Sequence, residues 1–418
     1  SAASDVYKRQ HLWDPGWWEW SPGEVHEIQT GESLGHWSIE ASNYASFANE
    51  GSLNCATCHT PIEGPLPVSY CHTPHTGTYV RCNLCPHGCI IAEGERGHCR
   101  VRENRGGRLY SMVYGNPCAV HVDPIEKKPF YHYLPTVPAF SLATAGCNLR
   151  CLYCQNWQIS QVTPEDTQNV DLPPEEVVNY AKETKSPVIA YTYSEPIIFY
   201  EYMLATAKLA KEAGLRNVMI SAGYINPEPL AALCEVVEAI KIDLKGYDED
   251  FYRQICEAEL YPVLETIQNI YKSGIHLEIV NLVVPTLNDD LDQLRALSNW
   301  IANSLSPEIP LHFSRFHPQY KLENLPATPI ETLEQARQIA LEEGIRFVYI
   351  GNVPSHPGDH TYCPTCNLAI IVRKGFAVTE YHLKGGVCEY CGEPIPGVWW
   401  PEKPTGQPVQ NLPGPPDQ

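Results

Sequence analysis

The chain contains no apolar run approaching the roughly 20 consecutive residues of a membrane span, and its first residues lack the basic-then-apolar order of a secretory signal. A cytoplasmic protein with no membrane association is the expectation. Positive charge is scarce as well, with 29 Lys and Arg against 49 Asp and Glu and a formal net charge of -20. Such a surface repels a phosphate backbone and offers no basic stripe, so nucleic acid is not an expected partner. A small anionic substrate stays compatible, because one positive pocket can coexist with an acidic surface.

Cysteine, by contrast, is abundant. There are 17, and without a signal their two- and three-residue gaps point to metal or iron–sulfur ligation rather than disulfides. They fall into the groups Cys55/Cys58/Cys71, Cys82/Cys85/Cys89/Cys99, Cys147/Cys151/Cys154 and Cys363/Cys366/Cys388/Cys391. Cys118, Cys234 and Cys256 stand alone and read as buried small side chains.

From residue 139 onward, short β-branched or aromatic runs alternate with helical patterns. The runs at 139–144, 188–193, 217–221, 239–244, 277–284, 311–316 and 346–350 predict strands. Helix starts are signalled by Pro173-Pro174-Glu175-Glu176 and by Thr328-Pro329 ahead of Ile330. Repeated βα units predict an α/β fold, a partial (β/α)6 TIM-like barrel with a parallel sheet and outer helices. Small Cys-rich lobes flank it at both ends. The expected division is an irregular leader at 1–54, an N-terminal Cys-rich lobe at 55–110, the barrel at 111–352, a zinc-ribbon-like lobe at 353–400 and a disordered Pro-rich tail at 401–418.

The fourth run tests that reading. Ile240, Ile242 and Leu244 take one face of the strand, while Lys241, Asp243 and Lys245 take the other. In a barrel the second face points into the lumen, where charges are costly unless they hold a ligand or each other. An edge strand exposed on one side would show the same alternation. His312 and Ser314 alternate likewise on the sixth run.

Gly146-Cys147-Asn148-Leu149-Arg150-Cys151-Leu152-Tyr153-Cys154 sets three thiols at CxxxCxxC spacing directly after the first predicted strand. A cubane held by three cysteines leaves one iron without a protein ligand, an open coordination site for a chelating molecule. The spacing, the aromatic Tyr153 and the position at a strand's C-terminal end point to a [4Fe-4S] cluster that binds S-adenosylmethionine. A zinc knuckle that borrows a fourth ligand is the alternative.

At these residues the sequence resembles the radical S-adenosylmethionine enzyme of the AmmeMemoRadiSam system, itself similar to pyruvate formate-lyase activating enzymes. The resemblance runs over about 81–397 through RCNLCPHGC, DPIEKKPFYHYLP, GCNLRCLYCQNWQIS, YTYSEPIIFYEY, KIDLKGY, HFSRFHPQY, YIGNVP and the closing CPTC and CEYCGEPIPG. It implies a radical SAM partial barrel and S-adenosylmethionine as cofactor. Memo-like and AMMECR-like partners are implied too, and an electron donor such as flavodoxin or ferredoxin is expected. Residue by residue, Cys147, Cys151 and Cys154 match the cluster ligands, with Tyr153 next to the adenine. Glu195 matches the acid that holds the methionyl amine, Asp243 and Lys245 the pair near the carboxylate and ribose, and His312 a histidine facing the ribose. Ser194 and Ser221 complete the cofactor-binding set. Tyr193 and Ser194 stand where the family carries two glycines, so backbone approach is expected to differ. Ile220 stands where glycyl-radical activators carry a cation-binding aspartate, which weakens that substrate class.

The outer groups read as metal staples. Cys363-x2-Cys366 and Cys388-x2-Cys391 are separated by 21 residues, close to a four-cysteine zinc ribbon. Structural zinc is expected there in preference to a second iron–sulfur cluster. Cys82, Cys85, Cys89 and Cys99 offer four ligands within a short segment, which suits either zinc or an auxiliary [4Fe-4S] cluster. Cys55-Ala56-Thr57-Cys58-His59 satisfies the haem pattern CxxCH, and with Cys71 it also suits a zinc knuckle or no metal at all. The reading is a radical enzyme acting on a small molecule or a partner protein, activation of a glycyl radical enzyme being its sharper form. A multi-zinc binding module and a haem electron carrier are the alternatives from other classes.

Overall fold

The computed structural model describes residues 79–400. The expectations for the leader, for Cys55, Cys58, His59 and Cys71, and for the tail at 401–418 lie outside the described residues.

Two short hairpins open the fold, β1 (Tyr79–Arg81) with β2 (Ile90–Ala92) and β3 (Arg102–Arg105) with β4 (Arg108–Ser111). An eight-stranded sheet follows, in the spatial order β12-β11-β10-β9-β8-β7-β6-β5. Its members are β5 (Ala119–Pro124), β6 (Pro138–Ala143), β7 (Val188–Tyr191), β8 (Arg216–Ser221), β9 (Ala239–Asp243), β10 (His276–Val283), β11 (Leu311–Arg315) and β12 (Val348–Gly351). Strands β6 to β12 are parallel in sequence order, and β5 lies antiparallel on β6. The crossovers are α1 (Pro174–Glu183), α2 (Tyr200–Glu212), α3 (Pro227–Cys234), α4 (Leu260–Ser273), α5 (Leu291–Ser304) and α6 (Ile330–Glu342). Seven parallel strands and six crossover helices make the expected open (β/α)6 barrel.

Alternation along each strand divides the core in two. Phe140, Leu142, Ile189, Tyr191, Met219, Ile240, Ile242 and Phe313 belong to the layer packed with the helices. Ala139, Val188, Ala190, Val218, Ile220 and Ala239 instead pack on Ile125, Phe130, Tyr133, Leu134 and Val137. The segment after β5 therefore plugs the barrel with its own apolar side chains, as a barrel too narrow for a channel requires. Tyr131 and His132 donate their backbone N–H groups to Glu278 of β10, which fixes the plug to the sheet.

The C-terminal lobe holds a three-stranded antiparallel sheet, β13 (Thr361–Tyr362), β14 (Ala369–Lys374) and β15 (Ala377–Tyr381), then a hairpin, β16 (Leu383–Lys384) and β17 (Val387–Cys388). It is anchored on the plug. Leu134 N donates to Val398 O and Val398 N to His132 O, both at 2.7 Å, and the Trp400 indole donates to Pro135 O at 2.8 Å. No helix among the described residues is long and apolar enough to cross a membrane.

Candidate active site and metal centres

The loop after β6 carries the three central thiols. Its shape is set by Gly146 N bonding to Ile159 O at 2.8 Å, and by Arg150 N and Leu152 N bonding to Cys256 O at 2.8 Å and Ile255 O at 3.0 Å. Those two acceptors sit on a π-helical turn, Tyr252–Cys256, an irregularity that recurs at functional sites. Leu149 N donates to Cys147 Sγ at 3.3 Å, and Cys154 Sγ lies 3.0 Å from Ser160 Oγ. Burial pushes the Cys147 thiol well above its usual range, aided by the charge of Glu195. Hydrogen bonding to Cys256, together with burial, does the same to Cys151. Thiols so desolvated become thiolates only if a cation compensates them, and cluster iron supplies that charge.

Glu195, after β7, and Asp243 and Lys245, at the end of β9, approach these thiols from two strand ends. Glu195 is 3% exposed and accepts from Ser221 Oγ at 2.6 Å, Ala222 N at 2.8 Å and Ile197 N at 3.2 Å. Burial raises its pKa against the pull of those donors. Ser221 thus holds the acid in place, while Ser194 ties its own loop to Thr144 O at 2.7 Å. Tyr193 takes φ +65°, the left-handed region a glycine favours. The loop keeps a glycine-like φ there despite its side chain.

On β9 the charged face points inward, as the alternation predicts. Asp243 is paired with Lys241 and, at 3.0 Å, with Lys245. Burial alone would raise the Asp243 pKa, but the two ammonium groups outweigh it and hold it at about 2. Lys245 is raised despite burial by the charges of Asp243 and Cys151. Lys241, 4% exposed, shares the carboxylate that the sequence reading assigned to Lys245, and it stood outside the predicted set.

Two further predicted residues have protein partners of their own. The Tyr153 ring is stacked on Phe251 with centroids 6.2 Å apart, and its hydroxyl lies 3.7 Å from Cys256 Sγ. His312 Nε2 is taken by Glu278 at 2.7 Å, and its ring stacks on Tyr349 at 4.8 Å. It therefore belongs to the buried network that fixes the plug. Glu278 is fully buried; burial pushes its pKa up, but His276 and His312 outweigh that and pull it well down.

Cys256 is buried as a lone cysteine is expected to be, yet it lies against Cys151 and Tyr153. No spacing rule brings it there, and only the turn that returns to the cysteine loop does so. Cys118 and Cys234 are half-buried.

In the C-terminal lobe, Cys363 and Cys391 Sγ lie 3.5 Å apart and Cys366 and Cys388 Sγ 3.9 Å apart. Ligands at about 2.3 Å from one tetrahedral ion stand about 3.8 Å from each other, so four thiolates on a single ion fit. The turns that aim them are held by Asn367 N to Cys363 O at 2.8 Å and Gly392 N to Cys388 O at 3.0 Å.

A partial barrel whose strand ends present three cysteines, a caged glutamate and an Asp–Lys pair defines the class of enzymes that carry an open-site cluster. Residues 141–297 match the Radical SAM superfamily. An uncharacterised protein of Methanocaldococcus jannaschii is 50% identical over 318 residues, 76% of this chain and 95% of that protein. The pyruvate formate-lyase-activating enzyme of Clostridium pasteurianum is 25% identical over 224 residues, 48% of this chain and 87% of that enzyme. Among solved structures, a domain of pyruvate-formate lyase-activating enzyme from Bacteroides vulgatus has a TM-score of 0.35 at 18% identity, covering 39% of this chain and 98% of that one. The chain belongs to the radical SAM superfamily, as a relative of the pyruvate formate-lyase activating enzymes. Cys147, Cys151 and Cys154 would hold the cluster, which would supply the electron for reductive cleavage of S-adenosylmethionine.

Proposed function

We propose that this chain is the radical enzyme of an AmmeMemoRadiSam-type system, abstracting hydrogen from a small molecule or a partner protein. The observation that carries the reading is the meeting of Glu195, Asp243 and Lys245 with the Cys147–Cys151–Cys154 loop at one mouth of the barrel. A caged carboxylate complements an amino group, and the Asp243–Lys245 pair complements a carboxylate and ribose hydroxyls. Tyr153 takes the adenine side in this reading, Ser221 positions Glu195, and His312 holds Glu278 rather than the cofactor. The ordered motifs from RCNLCPHGC to CEYCGEPIPG support Memo-like and AMMECR-like partners, with a flavodoxin- or ferredoxin-class electron donor. Zinc is the metal proposed for Cys363, Cys366, Cys388 and Cys391. The glycyl-radical form of the reading draws no support from Ile220, which is packed in the apolar plug.

Binding of S-adenosylmethionine to the reconstituted protein tests the assignment. Breaking a buried ion pair by removing one partner costs about 3–5 kcal/mol, so Asp243→Asn should weaken affinity at least 100-fold at full iron content. Glu195→Gln should weaken it in the same direction. Wild-type affinity in both variants would overturn the assignment of these residues.

A further inference from the structure

Cys82, Cys85, Cys89 and Cys99 line one small cavity, together with Arg102 and Asn148. We propose that these four cysteines bind a second iron–sulfur cluster, of the [4Fe-4S] type, seated against the loop that carries the catalytic cysteines.

The separation of the sulfurs carries the choice of metal. Among the described residues, only the C-terminal set of four brings three or more ligand atoms all within 4.8 Å of one another. The N-terminal cysteines line a cavity, and no three of their sulfurs converge in that way. Thiolates on one zinc ion must nearly touch, whereas those of a cubane each bind a different iron and stand farther apart.

Polar groups of the cavity complete the argument. Arg102 is 3% exposed, one guanidinium nitrogen is paired with Glu201, and its Nε–H has no partner. A buried, unspent donor on a cationic side chain calls for an anion, and a cluster with four thiolates is one. His98 N already donates to Cys89 Sγ at 3.4 Å. Three of the four cysteines are buried, which suits a site closed to solvent.

Four protein ligands leave no open iron, so this cluster cannot chelate S-adenosylmethionine. It adjoins the one that does. Asn148 lies between Cys147 and Cys151 in sequence and lines the same cavity as Cys85, while its carbonyl lies 2.6 Å from His87 Nε2. A Cβ placed on Gly146 would stand 2.8 Å from Cys99 O. The two sites share a wall of backbone.

Anaerobic reconstitution of the full chain, with iron, sulfide and zinc counted per chain, tests the proposal. Wild type should hold about eight irons, and both Cys82→Ala/Cys99→Ala and Cys147→Ala/Cys151→Ala/Cys154→Ala about four each. The triple variant, reduced, should keep a [4Fe-4S] electron paramagnetic resonance signal that added S-adenosylmethionine does not alter. That variant tests this site with the catalytic cluster removed, so failure here is distinct from failure of the function proposed above. It also stands if the double variant does not fold. About four irons in wild type, or zinc that is lost on Cys82→Ala/Cys99→Ala, would overturn the proposal.

Discussion

The two ends of the described chain each gather four cysteines, in opposite ways. The N-terminal set lies within 82–99, yet its cysteines line a cavity. The C-terminal set is spread over 363–391, yet its sulfurs converge within 4.8 Å. Compactness in sequence and compactness in space are thus separate properties. Hairpin geometry sets the second, by bringing two distant knuckles onto one point or by holding a single loop open. Between them lies a third arrangement, three thiols on one loop, and only that one leaves a coordination position for chemistry.

Removing a ligand should separate these roles, and the largest effect belongs to the open site. Cys151→Ala should reduce formation of 5'-deoxyadenosine to background while leaving the C-terminal metal in place, as metal analysis would show. Retained cleavage would break the division of roles. Next in size, Cys388→Ser should release about one tightly held ion per chain and unfold the C-terminal lobe, since a closed four-thiolate site contributes folding energy. Cleavage should survive in part, and protease sensitivity confined to 353–400 would sharpen the contrast.

A smaller effect is expected where two sites touch. Gly146 has φ +98°, and a Cβ there would meet Val101 Cγ1 at 2.7 Å and Cys99 O at 2.8 Å. Gly146→Ala should cost about 3 kcal/mol from left-handed strain and overpacking, lowering iron incorporation but not the C-terminal ion. Unchanged stability to urea would contradict that contact.

The smallest effect is one of pH. Burial holds the His132 pKa down at about 3, against the raising influence of Glu278 and the Pro396 carbonyl. The unfolded chain protonates this ring near 6.5, so it binds the proton first. Stability is therefore full above about 6.5 and falls as pH drops, by about 2 kcal/mol at pH 5. Urea titrations at both values should show the loss, and His132→Gln should flatten it.

Much of this was legible in the sequence, for physical reasons. Every parallel strand was announced by a run of β-branched or aromatic residues between turn signals, as Val188–Tyr191 and Leu311–Arg315 show. The inward charges of β9 followed from a period of two. β5 was not legible, because Ala119–Pro124 mixes His, Asp and Pro into its alternation. Cys256, Lys241 and Glu278 were missed because their partners are brought to them by the sheet and by a returning turn, which local patterns do not encode. For His312 the alternation gave the right face, but the reading did not foresee Glu278 as its partner.

The hydrogen bonds between Leu134 and Val398, and between His132 and Pro396, join points about 264 residues apart. During synthesis the barrel strands β6 to β12 all emerge before those bonds can form. The plug beneath them is therefore secured last, by a segment beyond the barrel itself. Contacts of such sequence separation are slow to close, so the C-terminal lobe acts in time as the latch on a barrel already assembled. A chain stopped before residue 396 should populate a barrel whose floor is loose, readable as fast hydrogen exchange at the amide of Leu134, whose acceptor is Val398 O.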